Sequence, residues 1–146
     1  MELQRRIEQD IKTALLGGDK TTAETLKGLK SAILYAQKKN GATTISDLEI
    51  AAILQAEQKK RDEAAELYKR GGNQAAADKE LQEKTIIARY LPTQLSDDEL
   101  AAVVDAAVAK NPQAGLGAII ADVRQAAGAA ADGSRVAAMV KQKLGL

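Results

Sequence analysis

Apolar residues recur at helical spacing along the chain, and residues that start or stop helices separate the apolar stretches. The first predicted helix has an apolar residue at every fourth position and ends at Gly17-Gly18. Asp19 can cap a second helix, which ends at Asn40-Gly41. The apolar positions of these two helices are Leu3, Ile7, Ile11 and Leu15, and then Leu26, Leu29, Ile33 and Ala36.

Two short segments carry the pattern of a capping box, in which a serine and a glutamate three residues later bind each other's backbone N–H groups. The segment "ISDLEI" starts a third helix, with Ser46 as the cap and Glu49 closing the box. The segment "LSDDEL" repeats the pattern with Ser96 and Glu99 and starts a fifth helix. The apolar pairs placed to form a hydrophobic staple are Ile45 with Ile50, and Leu95 with Leu100.

Between these two segments, the sequence predicts a long third helix and a shorter fourth one. The third continues through Tyr68 to Gly71-Gly72. The fourth begins near Asn73 and ends near Leu91, because Pro92 disfavours helical backbone at the residue before it. The apolar faces expected for the end of the third helix and for the fourth are Ala64, Ala65, Leu67 and Tyr68, and then Ala77, Leu81, Lys84 through its methylenes, Ala88 and Leu91.

Three helices are predicted in the last third of the chain. The fifth ends at "KNP", the sixth spans about residues 114–127, and the seventh starts at Asp132. Their expected buried positions are Leu100, Val103, Val104 and Ala107, then Leu116, Ile119, Ile120 and Val123, and finally Val136, Val140 and Leu144. With seven predicted helices and no credible strand, the fold class is expected to be all-α.

Charge density divides the chain into two parts. Residues 1–91 carry 16 Lys and Arg and 14 Asp and Glu, whereas residues 92–146 carry 5 and 6 and are rich in Ala. We therefore expect an N-terminal four-helix domain over residues 1–92 and a smaller C-terminal three-helix domain over residues 93–146. A flexible linker would be longer and more polar than the residues between them, so the junction is predicted to be a tight interdomain corner. The corner residues are Tyr90, Leu91, Pro92 and Leu95.

The composition removes most enzyme chemistry. The chain has no Cys and no His, which excludes disulfides, thiolate metal sites, thiol nucleophiles and the commonest general base. The acidic run Asp97-Asp98-Glu99 is explained by the favourable dipole of a helix N-terminus, without a metal ion. The four serines have capping positions or lack a facing base: Ser31, Ser46, Ser96 and Ser134. The residues therefore predict no catalytic residue, no metal site and no cofactor.

The densest basic stretch is "EQKKRDEAAELYKRGG", residues 57–72. Its cations can bind phosphates, and lysines of the second helix, including Lys38 and Lys39, can extend that surface. The alternative is a solvated helix whose charges pair internally, since Glu57–Arg61, Lys59–Glu63 and Glu66–Arg70 are spaced i,i+4. The scarcity of aromatic residues argues against a binder of single strands. The candidate phosphate- or partner-binding residues are Lys27, Lys30, Lys59, Lys60, Arg61, Lys69 and Arg70.

The overall charge and the apolar runs bear on location. The formal net charge is +1, so no overall field draws the chain towards nucleic acid or an acidic membrane. No apolar run approaches the length that spans a bilayer, and the start "MELQRRIEQD" lacks the apolar core of a signal peptide. A cytoplasmic protein with no membrane partner is therefore expected.

Several strings of the sequence, taken together, resemble one family. These are "GDKTTAETLKGLKSAI", "QAEQKKRDEAAELYKRGG", "KELQEKTIIARYLPTQLSDDEL" and "AADGSRVAAMVKQKL". They resemble the YqeY family, small bacterial proteins related to the C-terminal tail of GatB, a subunit of the glutamine-dependent aspartyl/glutamyl-tRNA amidotransferase. The resemblance covers nearly the whole chain. Its most specific parts are the "YLP-x-QLS-x-x-EL" string and the "ADG" before the last helix.

The resemblance implies a fold of four helices followed by a GatB-tail-like domain of three, and a role as a non-catalytic helper associated with tRNA. Any tRNA binding is expected to be weak and salt-sensitive. The family also links the chain to carbon–nitrogen ligase activity with glutamine as amido-N donor, although that chemistry lies in other domains of the amidotransferase. The family positions found in this chain are Lys59, Arg61, Glu80, Glu83, Tyr90 to Pro92 and Asp132-Gly133.

A second hypothesis is a protein-interaction module. The Ala-rich segments "AAVVDAAVA" and "AAMVKQKLGL" of the C-terminal helices are suited to contact a partner helix. Catalysis by this chain alone is a third hypothesis, which the missing side chains argue against.

Overall fold

The protein is all-helical over the residues that the computed structural model describes, 2–41 and 44–146. These residues form seven α-helices, one short 3₁₀ turn and no β-strand, as the sequence predicts. The helices are α1 Glu2–Leu16, α2 Lys20–Lys39, α3 Asp47–Arg70, α4 Gln74–Ala88, α5 Asp97–Lys110, α6 Leu116–Ala127 and α7 Gly133–Lys143, with the 3₁₀ turn at Gly128–Ala130. None of the helices in this described part is long and apolar enough to cross a membrane.

The contacts of the chain group into two compact units. The first unit ends at Leu91 and contains α1 to α4, whereas the second is Pro92–Leu146 and contains α5 to α7. Each unit has its own cluster of buried apolar residues.

Short polar side chains define the helix starts. Each accepts a hydrogen bond from a backbone N–H of the first turn, which otherwise has no partner. The observed caps of this kind are Asp19, Ser46, Asn73, Ser96 and Asp132. The predicted capping box of α5 is complete, with both reciprocal bonds of 3.0 to 3.1 Å between Ser96 and Glu99.

The capping box predicted for α3 forms only in part. Ser46 Oγ accepts from the backbone N–H of Glu49 at 3.1 Å, as expected. The reciprocal bond from the backbone of Ser46 to the Glu49 carboxylate is missing from the contacts of these two described residues. The N-cap prediction is therefore right, and the reciprocal half of the predicted box is not formed by these two residues.

The core of the first unit consists of aliphatic side chains and one tyrosine. Closely packed Leu and Ile fill the space in the absence of Phe and Trp. Its buried members are Ile7, Ile11, Leu26, Leu29, Ile33, Ile45, Ile50, Leu54, Ile86, Ile87 and Tyr90.

The predicted apolar stripe of α1 is wrong at its end. Leu15 is 53% exposed, and Ala14 is buried in its place. A four-residue repeat turns about 40° per step around a helix of 3.6 residues per turn, so Leu15 lies about 120° from Leu3. Ala14 lies about 20° from Leu3 and therefore faces the core.

The end of α3 also differs from the prediction. Ala65 is buried, but Leu67 and Tyr68 are 67% and 41% exposed. Leu67 lies about 20 Å along the helix axis from Leu54, the last α3 residue in the core cluster. The C-terminal half of α3 therefore extends past the core and packs on α4, with which α3 makes its most extensive contacts.

The predicted face of α4 is partly wrong as well. Ala77 is buried as expected, but Ala88 is exposed, and Ile86 and Ile87 are the residues that enter the core. The start of α4 faces α3, whereas its end faces the core that α1 and α2 share, so no single stripe is buried along its length. The helix ends at Ala88 rather than near Leu91, because i→i+3 backbone bonds tighten the last turn before Pro92.

The second unit buries the residues predicted for it, with smaller side chains than the first. Its buried members are Leu100, Val104, Ala107, Ile119, Val123, Ala131, Val136 and Val140. The other predicted positions are partly buried and pack against this cluster: Val103, Leu116, Ile120 and Leu144.

Candidate functional site

Arg61, a candidate phosphate-binding residue, is engaged by carboxylates of the protein itself. Its guanidinium contacts the Glu57 carboxylate one turn earlier on α3, and its Nε lies 3.9 Å from a Glu83 carboxylate oxygen on α4. The three side chains are only 14 to 19% exposed. Arg61 therefore joins α3 to α4 and has little surface left for an external phosphate.

Two further polar contacts hold the same pair of helices together. Lys84 Nζ of α4 lies 2.9 Å from Asp62 Oδ1 of α3, and Gln58 Nε2 donates to the Lys84 carbonyl at 3.3 Å. Farther along, the small residues Ala65 and Ala77 are both buried where α3 and α4 meet. We call this group of polar side chains the hairpin network: Glu57, Gln58, Arg61 and Asp62 of α3, and Glu80, Glu83 and Lys84 of α4.

Glu83 is the member of the hairpin network whose charged form the fold disfavours. Burial raises the pKa of its carboxyl, and the neighbouring Glu80 raises the pKa further, against the opposing effect of Arg61. Glu80 and Glu83 lie one turn apart on α4, so the two like charges oppose each other and favour the protonated form of Glu83.

Replacing Glu83 with glutamine is expected to leave stability at neutral pH unchanged or raised by less than about 1 kcal/mol. A pKa raised in the fold gives stability that is complete below the ordinary value of 4.5 and is lost as pH rises through the folded value. The wild-type chain should therefore lose stability over that window, and the Glu83→Gln variant should not. Urea unfolding at a series of pH values from about 4 to 7 measures this.

The matched control is Glu57→Gln, which weakens the charge-assisted bonds from Arg61 and Lys60 and should cost about 1–2 kcal/mol. Equal losses in the two variants at neutral pH would contradict this role of Glu83.

The remaining α3 cations are divided between paired and unpaired ones. Lys60 lies 3.2 Å from Glu57 and Arg70 lies 3.4 Å from Glu66. Lys59 and Lys69 are exposed and form no ion pair with any carboxylate that the structure describes. Of the three i,i+4 pairs expected from the sequence, Glu57–Arg61 and Glu66–Arg70 form, whereas Lys59–Glu63 does not.

The lysines of α2 have a different environment. Between Glu24 and Asp47 the sequence contains four lysines and no carboxylate. None of the four forms an ion pair within residues 2–41 and 44–146. The lysines are Lys27, Lys30, Lys38 and Lys39, of which Lys30 is half-buried and the others are exposed.

Helical geometry places most of these lysines on the solvent side of α2. Leu26, Leu29 and Ile33 face the core, so the opposite side of the helix carries Lys27 and Lys38. The two lysines are about 16 Å apart along the axis. Leu34 and Tyr35, which are 46% and 70% exposed, lie between them. We call this surface the α2 lysine face: Lys27, Lys30, Leu34, Tyr35, Lys38 and Lys39.

Three of the four predicted corner residues belong to the cores of the two units: Tyr90 and Leu91 to the first and Leu95 to the second. Tyr90 is buried in the first unit, where its hydroxyl donates to Asp10 Oδ2 at 2.5 Å and the Arg6 guanidinium lies 5.1 Å from its ring centroid. Burial and the Asp10 carboxylate raise the pKa of Tyr90, which therefore stays neutral. Leu91 packs against the same core, whereas Pro92 is exposed.

On the other side, Leu95 is anchored in the second unit. It packs against that core, its N–H donates to the Ala130 carbonyl at 2.7 Å, and its carbonyl accepts from Arg135 Nη2 at 2.8 Å. Arg135 also lies 3.1 Å from Asp97. The "ADG" string has a related structural role, since Asp132 caps α7. Burial pushes the pKa of its carboxyl up, but hydrogen bonds from Ser134 and from the Arg135 backbone hold it below its ordinary value.

The Ala-rich segments proposed as a partner surface contribute to the core of the second unit. Val104 and Val140 are fully buried there. An open groove of about 680 Å³ remains between α5 and α7. It is lined by Asp97, Asp98, Leu100, Ala101, Arg135, Ala138, Met139, Gln142 and Lys143. Its two cations pair with Asp97 and Asp105.

The described part of the chain is all-helical, and the strings that look most like a signature cap its helices and join them. The lysines of the α2 lysine face form no ion pair with a carboxylate in this part of the chain. The family model described as "Yqey-like protein" matches residues 4–144, nearly the entire chain. The chain therefore belongs to the YqeY family. Among curated protein sequences, none matches it.

Proposed function

We propose that this YqeY-family protein is a non-catalytic helper that binds tRNA, and that it does so through the α2 lysine face. One observation carries the proposal: four lysines stand together on and beside one exposed helix face, and none of them forms an ion pair with a carboxylate of residues 2–41 and 44–146. Nucleic-acid affinity comes mainly from cations that replace the counterions of phosphates. Lysines without internal partners are able to do this without first breaking an ion pair.

The basic stretch of α3 is a weaker candidate for the same role. Lys60, Arg61 and Arg70 are already paired with glutamates. A phosphate would have to compete with these carboxylates, and in the case of Arg61 it would also disrupt the contact between α3 and α4. The resemblance to the GatB tail supports tRNA as the nucleic acid, and Lys59 and Lys69 are available to extend the surface.

Neutralising two lysines of the α2 face tests this proposal. The Lys27→Gln, Lys38→Gln double variant should bind total tRNA about tenfold more weakly at low salt, because each lost phosphate contact removes released counterions. The slope of log affinity against log salt should fall by about 1.4 to 1.8. Both quantities follow from fluorescence anisotropy titrations with labelled tRNA at several salt concentrations.

The matched control is the Lys60→Gln, Arg70→Gln variant, which removes the same charge from paired α3 residues and should change the salt slope by less than half as much. Absence of binding by the wild-type chain at low salt up to tens of micromolar, a concentration within the usual range of non-specific dissociation constants, would refute the proposal. A single protein partner that is retained after RNase treatment would favour the interaction-module alternative.

We also propose that the two compact units are separate domains, a four-helix domain over residues 1–92 and a three-helix domain over residues 93–146. The support is that each unit has its own buried cluster and that Pro92, Thr93 and Gln94, the first residues of the second unit, are exposed.

A further inference from the structure

Tyr35 is an aromatic side chain in an unusual position. It is 70% exposed, although a tyrosine ring is a large and mainly apolar group that is at least partly buried in most folded proteins. Tyr90 is 6% exposed and its hydroxyl is hydrogen-bonded, and Tyr68 is 41% exposed on α3. Within residues 2–41 and 44–146, Tyr35 makes no hydrogen bond or ring contact that would hold it in this position.

The neighbours of Tyr35 on the helix surface are small or cationic. Residues three and four positions away on a helix are its surface neighbours, with Cβ atoms about 5–6 Å apart. For Tyr35 these are Lys38 and Lys39 on one side and Ser31 and Ala32 on the other. The only carboxylate of α2, Glu24, lies about 16 Å away along the axis.

We infer that Tyr35 is a stacking platform for an unpaired base, and that the RNA feature bound by the α2 lysine face is a loop or another unpaired nucleotide rather than a duplex. This inference rests on the proposed function. An exposed ring offers a π-face to any base, and such stacking contributes about 1–3 kcal/mol per base. Lys38 and Lys39 are placed to contact the phosphates beside the stacked nucleotide.

A paired base cannot use this platform without a cost. Reaching the face of a base within a duplex requires unstacking, which costs a few kcal/mol and cancels the gain from one tyrosine. A loop base is already free to stack. One exposed ring is enough for one base, so the scarcity of aromatic residues in the chain excludes an extended single-strand channel and not a single stacking site.

An acidic peptide would also be attracted by the lysines. Such a peptide would bind through its charge alone, however, and would place no planar group on the ring of Tyr35. Dependence of binding on the ring itself therefore distinguishes the two classes of ligand.

The test compares two RNA probes with equal numbers of phosphates: a stem-loop with unpaired adenines in the loop, and a blunt duplex. Tyr35→Ala should weaken binding of the stem-loop about tenfold and change binding of the duplex less than twofold. Tyr35→Phe keeps the ring and should bind both probes as the wild-type chain does. The salt slope of Tyr35→Ala should be unchanged, because all lysines remain.

The control variant is Tyr68→Ala, which removes the other exposed tyrosine and should affect neither probe. Both tyrosines are at the surface, so matching melting curves verify that the three variants are folded. A second readout is the tyrosine fluorescence, which the stem-loop should quench in the wild-type chain and in Tyr68→Ala to the same extent.

The outcomes distinguish a failure of this inference from a failure of the proposed function. If binding of tRNA depends on Lys27 and Lys38 but Tyr35→Ala affects both probes equally or neither, the stacking platform is wrong and the proposed function stands. If the wild-type chain binds neither probe nor tRNA, both are wrong. If polyglutamate binds as tightly as the stem-loop, and Tyr35→Ala weakens both to the same extent, the assignment to nucleic acid is wrong.

Discussion

Replacing Arg61 with alanine is expected to lower the free energy of unfolding by about 2–3 kcal/mol. The substitution removes the only cation that contacts both Glu57 and Glu83 in the described part of the hairpin network. It leaves these carboxylates, which are 14% and 19% exposed, without their shared partner. Truncating one member of a fully buried ion pair costs about 3–5 kcal/mol, and the partial exposure of these groups reduces the expected loss.

Urea unfolding followed by circular dichroism measures this loss, and Lys60→Ala is the matched control. Lys60 contacts the same Glu57, but its side chain is 68% exposed. Exposed ion pairs contribute about 0–1 kcal/mol, so the control should lose less than about 1 kcal/mol. Equal effects of the two substitutions would show that the hairpin network is ordinary surface pairing.

The Arg61→Ala variant also tests the division of roles between α2 and α3. Under conditions in which it remains folded, its affinity for tRNA should fall no more than that of Lys60→Gln, Arg70→Gln. A much larger loss in the folded variant would make Arg61 part of the binding surface.

Ile87→Ala and Ile119→Ala are expected to cost about 2–4 kcal/mol each. Ile87 is fully buried in the first unit and Ile119 is 1% exposed in the second, so each substitution creates a cavity of similar size in a different core. If the two units are separate domains, each cavity should destabilise only its own unit.

Native-state hydrogen exchange, read peptide by peptide, measures this directly. Ile87→Ala should accelerate exchange in α1 to α4 and leave α5 to α7 as in the wild-type chain, and Ile119→Ala should do the reverse. Each variant is the control for the other. Faster exchange throughout the chain in both variants would show one cooperative domain and would contradict the proposed division.

The start of each predicted helix was well determined by local sequence. Asp19, Ser46, Ser96 and Asp132 cap helices as expected, and Asn73, near which the fourth helix was expected to begin, caps that helix. A cap depends on a side chain and a backbone N–H only two or three residues later, so the interaction lies within the segment from which it is predicted. The seven helices and the all-α class follow from these signals and from the apolar periodicity.

Burial was harder to predict where a helix extends past the core. Leu67 and Tyr68 have apolar side chains at suitable spacing, yet both are exposed because the C-terminal half of α3 contacts α4 and lies beyond the shared core. On α4, Ile86 and Ile87 are buried in place of Ala88 because different faces are covered at its two ends. No local pattern specifies which neighbour covers a given turn.

The candidate site changed for a similar reason. The α3 stretch has the highest density of Lys and Arg, and Lys60, Arg61 and Arg70 are nevertheless paired with carboxylates. The better surface on α2 had a signal in the sequence, namely the absence of any carboxylate between Glu24 and Asp47. Counting acidic residues together with basic ones would have ranked α2 above α3.

Helix identity, helix starts and the absence of thiol and imidazole chemistry were decided by the amino-acid sequence, because each depends on composition or on residues close together in the chain. Two properties depended on the tertiary structure: the contact of Arg61 with Glu83 across two helices, and the exposure of Tyr35 among unpaired lysines. Both depend on which groups of distant segments come within a few ångströms, since ion pairing and burial are short-range effects. In the folded chain, Lys60, Arg61 and Arg70 of α3 are paired with carboxylates, whereas Lys27, Lys38 and Lys39 of α2 are exposed and available for binding.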